Sequence, residues 1–130
     1  MLNVLIVDDE ATVRRILTLA LERAGFSVTA AENGEVALAK LRTFTPDVMI
    51  TDIEMPRING RALCATIQKQ YPQRSYPIFV VTSLTEREHR DWAGSIPNLH
   101  FLEKPVSVRQ LLSKLTDQIA SATVVLEAPR

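Results

Sequence analysis

Five short apolar runs alternate with helical patterns along the 130-residue chain. The runs occupy residues 3–7, 26–30, 47–51, 78–82 and 99–102. Apolar runs of this length, separated by helices, are typical of parallel strands buried on both faces of a sheet. We therefore expect a doubly wound α/β fold with five parallel strands and helices on both faces.

Residues that end or begin helices support this division of the chain. Gly25 is a natural C-terminal stop for the first helix. Asn33, Asn59 and Ser107 stand directly before helical patterns, where their side chains can accept hydrogen bonds from unpaired backbone N–H groups. These residues predict where the second, third and fifth helices begin.

Polar residues stand at the carboxyl ends of four of the predicted strands. Asp8 and Asp9 follow the first strand, Asp52 follows the third, Thr82 ends the fourth and Lys104 follows the fifth. In open α/β sheets, ligands bind outside the carboxyl ends of the strands, where the strand order reverses. The three acids can be neighbours only if the chain reverses at the first strand. This predicts the flavodoxin-like order 2-1-3-4-5 and a crevice between the first and third strands.

The chemistry of this crevice favours a divalent cation and a phosphoryl group. Three crowded carboxylates repel one another, so they favour a cation, and hard oxygen ligands suit Mg²⁺ or Mn²⁺. A carboxylate beside such an ion can attack phosphorus and form an aspartyl phosphate. Asp52 is the candidate nucleophile because it stands alone on the middle strand. Lys104 and Thr82 can bind phosphoryl oxygens by charge and by hydrogen bonding.

Four segments taken together resemble the receiver domain of two-component response regulators, including the chemotaxis proteins of that kind. They are Val7-Asp8-Asp9-Glu10, Asp52-Ile53-Glu54-Met55-Pro56 with Gly60, Val80-Val81-Thr82-Ser83, and Phe101-Leu102-Glu103-Lys104-Pro105. All four occur in order, each at the carboxyl end of a strand. The resemblance implies that residues 1–120 form the receiver domain and that 121–130 are a C-terminal tail or linker stub.

The resemblance also implies a role for each matching position of the acidic site. Asp52 matches the phosphoacceptor, and Asp9 matches the residue that binds the metal directly. Asp8 matches the acid that usually acts through a metal-bound water. Glu54 matches the position whose backbone carbonyl completes the metal shell.

A second group of matching positions implies a conformational switch. Thr82 and Lys104 match the two residues that sense phosphate, and Phe101 matches the aromatic residue whose rotamer reports the state. Pro105 matches the proline that usually follows a cis peptide bond. On phosphorylation Thr82 would move toward the phosphoryl group and Phe101 would turn inward. The surface formed by the fourth helix, the fifth strand and the fifth helix would change as a result.

Several neighbouring residues carry further expectations. We expect Leu84 to screen the phosphoryl group from in-line water, as the matching family position tunes hydrolysis. Trp92 and His100 are expected on or near the changing surface. His89 and His100 are interpreted as surface residues without a catalytic role.

The implied phosphodonor is a sensor histidine kinase or a phosphotransfer protein, and the implied output is a downstream effector protein or a fused output domain. Dimerisation on phosphorylation is left open.

Lys+Arg and Asp+Glu both total 15, so no basic excess indicates nucleic-acid binding. No apolar run is long enough to span a membrane. The single cysteine, Cys64, cannot form an internal disulfide, which makes a cytoplasmic location the expectation.

Other functions fit parts of the pattern. A phosphohydrolase of the haloacid dehalogenase type also uses an aspartate nucleophile, Mg²⁺ and a lysine. That class needs two aspartates spaced two apart on the first strand and a cap, for which the chain has no spare length. An unphosphorylated interaction module of the same fold would not explain the acids, Thr82 and Lys104 together. A nucleotide or flavin module would need a Gly-rich loop after the first strand. The resemblance thus implies a signalling domain that catalyses only its own phosphorylation and dephosphorylation.

Overall fold

The fold is known from a computed structural model that describes residues 2–83 and 89–127, without the side chains of residues 90 and 120–127. The strands are β1 (Asn3–Val7), β2 (Ser27–Ala31), β3 (Val48–Asp52), β4 (Ile78–Thr82) and β5 (Leu99–Glu103). They form one parallel sheet in the order β2-β1-β3-β4-β5. This confirms the predicted fold and strand order.

The helices alternate with the strands as the sequence predicts. They are α1 (Ala11–Arg23), α2 (Gly34–Leu41), α3 (Gly60–Gln70), α4 (Arg90–Ala93) and α5 (Val108–Glu127). Helix α5 continues beyond residue 120, into the segment expected to be a tail. The division of the chain at residue 120 stays a prediction. Leu84 and most of the charged stretch that follows it lie outside the described residues.

The predicted caps are present. Asn33 Oδ1 accepts a hydrogen bond from Val36 N at 2.9 Å, and Asn59 Oδ1 accepts one from Ala62 N at 2.8 Å. Ser107 Oγ accepts a longer bond, 3.3 Å, from Gln110 N. Each bond satisfies one of the backbone donors that a helix leaves unpaired at its first turn. The three helices therefore begin where the sequence predicts.

Strands β2 and β3 both lie one residue later than predicted, and β5 extends one residue further, to Glu103. Strand β2 begins at Ser27 because the N–H of Phe26 donates to Leu21 O, which makes Phe26 part of the turn that ends α1. Strand β3 extends to Asp52 because this residue still pairs with Val81 of β4. Asp52 is therefore held by the sheet and not by a loop.

The sheet separates two hydrophobic cores. Leu63 and Ile67 of α3 pack with Met49 on one face, while Leu17 of α1 and Leu111 of α5 pack with strand residues on the other. Complete burial of such a side chain contributes about 1.5–3 kcal/mol to stability. Helices thus cover both faces, and the carboxyl edge of the sheet is left for the polar residues.

Candidate functional site

Three carboxylates meet at the carboxyl edge of β1 and β3. One oxygen from each of Asp8, Asp9 and Asp52 lies within 4.8 Å of the others. The strands are direct neighbours, with Val7 paired to Thr51, so the residues that follow or end them share this edge. Asp8 and Asp52 are 6% and 3% exposed, whereas Asp9 is exposed. The cluster therefore faces solvent on the side of Asp9.

Burial changes the acidity of one of these groups. It raises the pKa of the Asp8 carboxyl above its usual value, against the lowering effect of the bond that Glu10 N donates to Asp8 Oδ1 at 2.9 Å. The negative charges of Asp52 and Asp9 raise this pKa further. Neighbouring anions of this kind are stabilised by a cation, and their oxygens fit the hard-ligand preference of Mg²⁺.

Lys104 supplies a positive charge inside the site. Its Nζ lies 2.8 Å from Asp52 Oδ1, and 35% of the lysine side chain is exposed. Burial lowers the pKa of the ammonium, but the hydrogen bond and charge of Asp52 outweigh this effect, so the pKa is raised overall. Lys104 is therefore protonated at neutral pH and offsets part of the acidic charge.

The backbone around Lys104 fixes where its side chain starts. The Lys104 N–H donates to Thr82 O at 2.8 Å, which joins the end of β5 to the end of β4. The Lys104–Pro105 peptide bond is cis, in the place where the resemblance implied one. The hydrogen bond to Thr82 O holds the Lys104 backbone at the end of β4, within reach of Asp52 for its ammonium.

The loop after β3 packs closely against the acidic site. Asp52 Oδ1 accepts a hydrogen bond from Ile53 N at 2.8 Å, and Gly60 N donates to Ile53 O at 2.8 Å. A Cβ atom on Gly60 would lie 2.3 Å from Asp52 O, so only glycine allows this approach. Glu54 and Asp9 line one groove beside the loop. The metal-binding role of the Glu54 carbonyl stays a prediction.

A cleft of about 480 Å³ leads to the buried Asp52 carboxylate. Asp52 and Lys104 line its polar end, and its wall includes Ile16 of α1 and Val106 from the segment before α5. Ile16 is 53% exposed and presents an apolar surface at the wall of the cleft. The cleft gives a reactant access to a carboxylate that is otherwise buried.

Thr82 and Phe101 belong to a second cluster, built around His89. Thr82 Oγ1 lies 2.9 Å from His89 Nε2, and Trp92 Nε1 donates to His89 Nδ1 at 3.1 Å. The rings of His89 and Phe101 stack with centroids 5.0 Å apart and planes at 4°. The sequence assigns Thr82 and Phe101 to one switch, and in the structure both contact the same imidazole. Their roles in a switch stay predictions.

The interpretation of His89 as a surface residue is wrong. His89 is 4% exposed. Its burial is tolerated because both ring nitrogens have partners, and buried polar groups need such partners. The available signal was the spacing of three residues between His89 and Trp92, which brings side chains together on one turn of a helix. His100, by contrast, is half-buried, and its ring stacks on that of Phe79 with the centroids 5.1 Å apart.

None of the helices, within the ranges 2–83 and 89–127, has both the length and the apolar character needed to cross a membrane.

The sequence matches one family over nearly its whole length. The family described as Response regulator receiver domain matches residues 4–116. Protein PilG of Pseudomonas aeruginosa is 31% identical over 124 residues, which are 95% of this chain and 92% of PilG. The chain also spans about half the length of several longer relatives described as probable transcriptional regulators, 48% in two of them.

Solved structures share the fold. The chemotaxis protein CheY4 of Vibrio cholerae is similar with a TM-score of 0.83 and 31% identity, covering 90% of this chain and 98% of CheY4. The response regulator TrrA of Thermotoga maritima, in complex with Mg²⁺-BeF, is similar with a TM-score of 0.78 and 29% identity. That match covers 90% of this chain and 98% of TrrA.

Proposed function

The chain belongs to the response regulator receiver domain family of two-component systems, and on that premise we propose that it is a phosphorylation-dependent signalling switch with Asp52 as the phosphoacceptor. Receiver domains are signalling domains that interact with histidine kinases and output domains, and they bind Mg²⁺ at an acidic pocket. The observation that carries the proposal is the surroundings of Asp52, whose carboxylate lies within 4.8 Å of the acids after β1 and 2.8 Å from the Lys104 ammonium.

The acidic cluster fits a divalent ion of the size and hardness of Mg²⁺, and Mn²⁺ accepts the same oxygen donors. We assign Asp9 and Asp52 as direct ligands, the Glu54 backbone carbonyl as a third, and Asp8 as a partner through water. When bound, the ion neutralises the phosphoryl oxygens and aligns them. The bound ion would also offset the negative charges of Asp8 and Asp9, so that they repel an incoming phosphoryl group less.

The protein's own residues account for the transfer. An Asp52 carboxylate oxygen attacks phosphorus, the new O–P bond forms, and the P–N bond of a donor phosphohistidine breaks. The imidazole of the donor leaves with the electron pair of that bond and takes up a proton. Lys104 changes partner from the carboxylate to a phosphoryl oxygen, and the Thr82 hydroxyl donates to another. Lys104 and Thr82 keep their protons during the step, while the negative charge of the Asp52 carboxylate is replaced by that of the phosphoryl oxygens now bonded to it.

Access to Asp52 supports a protein as donor. A phosphohistidine must reach a carboxylate that is 3% exposed, and the cleft beside α1 leads there. The exposed Ile16 at its wall offers an apolar contact to the donor. We assign this cleft to a histidine kinase or phosphotransfer protein. Substitution of Ile16 by Asp is expected to slow transfer from a protein donor but not from acetyl phosphate.

The proposed output is a change of the surface formed by α4, β5 and α5. Trp92 on α4 and His100 on β5 are both half-buried there, and Phe101 lies between the interior and this surface. A downstream effector or a fused output domain would read the change, and dimerisation is a further form of readout. The screening role of Leu84 and the cytoplasmic location stay predictions from the sequence.

The test is phosphorylation by acetyl phosphate with Mg²⁺, followed by intact-protein mass spectrometry. We expect one acid-stable, base-labile adduct with the mass of a phosphoryl group. Asp52→Asn removes the nucleophile and should abolish the adduct, whereas Asp117→Asn, at an exposed position of α5, should not. Failure of the unmodified protein to form this adduct, or a beryllofluoride complex, would leave the unphosphorylated interaction module as the function. Turnover of small phosphomonoesters would indicate the phosphohydrolase.

A further inference from the structure

His89 connects the threonine and the aromatic residue of the proposed switch. It is 4% exposed, and its ring contacts Thr82 through Nε2 and Phe101 through a ring face. Trp92 Nε1 donates a hydrogen bond to His89 Nδ1. The Trp92 ring also packs edge-on against Phe101, with the ring centroids 6.0 Å apart. One buried imidazole is therefore shared by all three neighbours.

The contacts determine where the imidazole carries its proton. The indole N–H of Trp92 can only donate, so His89 Nδ1 must accept with its lone pair. A neutral imidazole then carries its hydrogen on Nε2. Since Nε2 lies 2.9 Å from Thr82 Oγ1, His89 donates this hydrogen bond and the threonine oxygen accepts it.

We propose that His89 is a positioning residue of the switch, an inference that rests on the proposed function. Its Nε2–H holds the Thr82 hydroxyl oxygen in the phosphate-free arrangement. When Thr82 moves toward a phosphoryl group on Asp52, the Nε2–H of His89 loses its acceptor. A buried N–H without an acceptor is unfavourable, so this hydrogen bond opposes the movement and stabilises the phosphate-free arrangement. Phe101 is stacked on the same ring, so its surroundings change when the bond breaks.

Two substitutions separate the hydrogen bond from the ring. His89→Phe keeps a flat ring against Phe101 and removes the donor. His89→Gln keeps an N–H near the position of Nε2 and removes the ring. The affinity for beryllofluoride in the presence of Mg²⁺ is measured by calorimetry for both variants and for the unmodified protein.

We expect His89→Phe to bind beryllofluoride roughly 3- to 10-fold more tightly, because it loses one hydrogen bond that stabilises the phosphate-free state. His89→Gln should stay within about 2-fold of the unmodified protein, since the donor to Thr82 is kept. Unchanged or weaker binding by His89→Phe overturns the inference. If the unmodified protein itself binds no beryllofluoride, the proposed function fails instead.

A double-mutant cycle tests whether His89 acts through Thr82. In a Thr82→Val background the hydroxyl is absent, and His89→Phe should change the affinity by less than about 1.5-fold. A merely structural role of His89 would give the same change in both backgrounds, and that result contradicts the inference.

The unmodified protein gives an independent measurement that needs no variant to fold. Long-range ¹H–¹⁵N NMR should show His89 protonated at Nε2 and unprotonated at Nδ1. Both ring nitrogens and the Phe101 ring protons should shift together when beryllofluoride binds. A proton on Nδ1, or a His89 ring that does not respond, overturns the inference.

Discussion

The approach of α3 to the end of β3 leads to a prediction about Gly60. Replacement of Gly60 by Ala places a Cβ atom 2.3 Å from Asp52 O and 2.7 Å from Ile53 Cα. Real Cβ atoms essentially never come closer than 3.0 Å to such neighbours, so the two backbones must separate by about 0.7 Å. The obstacle is main chain and cannot rotate away. The substitution therefore disturbs the strand end that carries the phosphoacceptor.

The expected loss of stability follows from this overlap. Overpacking usually destabilises a protein by about 1–3 kcal/mol, and a rigid backbone neighbour favours the upper half of that range. For a chain of this size the thermal midpoint should fall by roughly 6–15 °C. The hydrogen bond from Gly60 N to Ile53 O, now 2.8 Å, should lengthen as well. Displacement of Asp52 should weaken beryllofluoride binding in parallel.

Gly34 provides a matched control. Like Gly60, it is the first residue of a helix and directly follows an asparagine cap. Its added Cβ would meet Ile58 Cβ at 3.0 Å, so Ile58 has to give by only a few tenths of an ångström. In urea titrations the free energy of unfolding of Gly34→Ala should lie within about 1 kcal/mol of that of the unmodified protein. The free energy of unfolding of Gly60→Ala should be clearly lower. Equal stability of the two variants, or a stable Gly60→Ala, would refute the steric reasoning.

Three further predictions concern the site acid, the thiol and the caps. Burial raises the pKa of the folded-state Asp8 carboxyl above its usual value of 3.8. Protonation of Asp8 therefore stabilises the fold fully below about pH 3.8, and this stabilisation is lost as the pH rises through the higher pKa of the folded state. In metal-free protein, Asp8→Asn should therefore be more stable than the unmodified protein in urea at neutral pH, and this difference should disappear in acid; no gain at neutral pH would contradict it. Burial raises the pKa of Cys64 to about 12, so an aromatic disulfide reagent at neutral pH should react with the native protein far more slowly than with the unfolded one; equal rates would show that the thiol is accessible. Asn33→Ala and Asn59→Ala should each lower the free energy of unfolding by about 1 kcal/mol through loss of a cap bond, and a gain from either would be inconsistent with the observed caps.

The sequence was informative wherever a residue's role depends on its own strand. Asp8, Asp52 and Lys104 each stand at a strand end, so the strand order alone brings them together. The starts of α2 and α3 were predictable for the same reason, because Asn33 and Asn59 each accept a hydrogen bond from an N–H only three residues later.

What could not be predicted depends on contacts between elements. The burial of His89 results from contacts with two other elements, Thr82 at the end of β4 and Phe101 on β5. A side chain at position 60 would overlap the backbone of Asp52. This overlap depends on how the start of α3 packs against the end of β3. A periodic pattern identifies an element but does not give such distances.

The division of the interior by the sheet affects how this protein can evolve. Met49 and Ile50 are consecutive in β3, yet they pack on opposite faces. A mutation that enlarges one of them can be compensated only by residues of its own layer, because the backbone of the sheet lies between the two. The layer under α1 and α5 can therefore diverge with a changing partner while the layer under α2 and α3 keeps its ancestral residues.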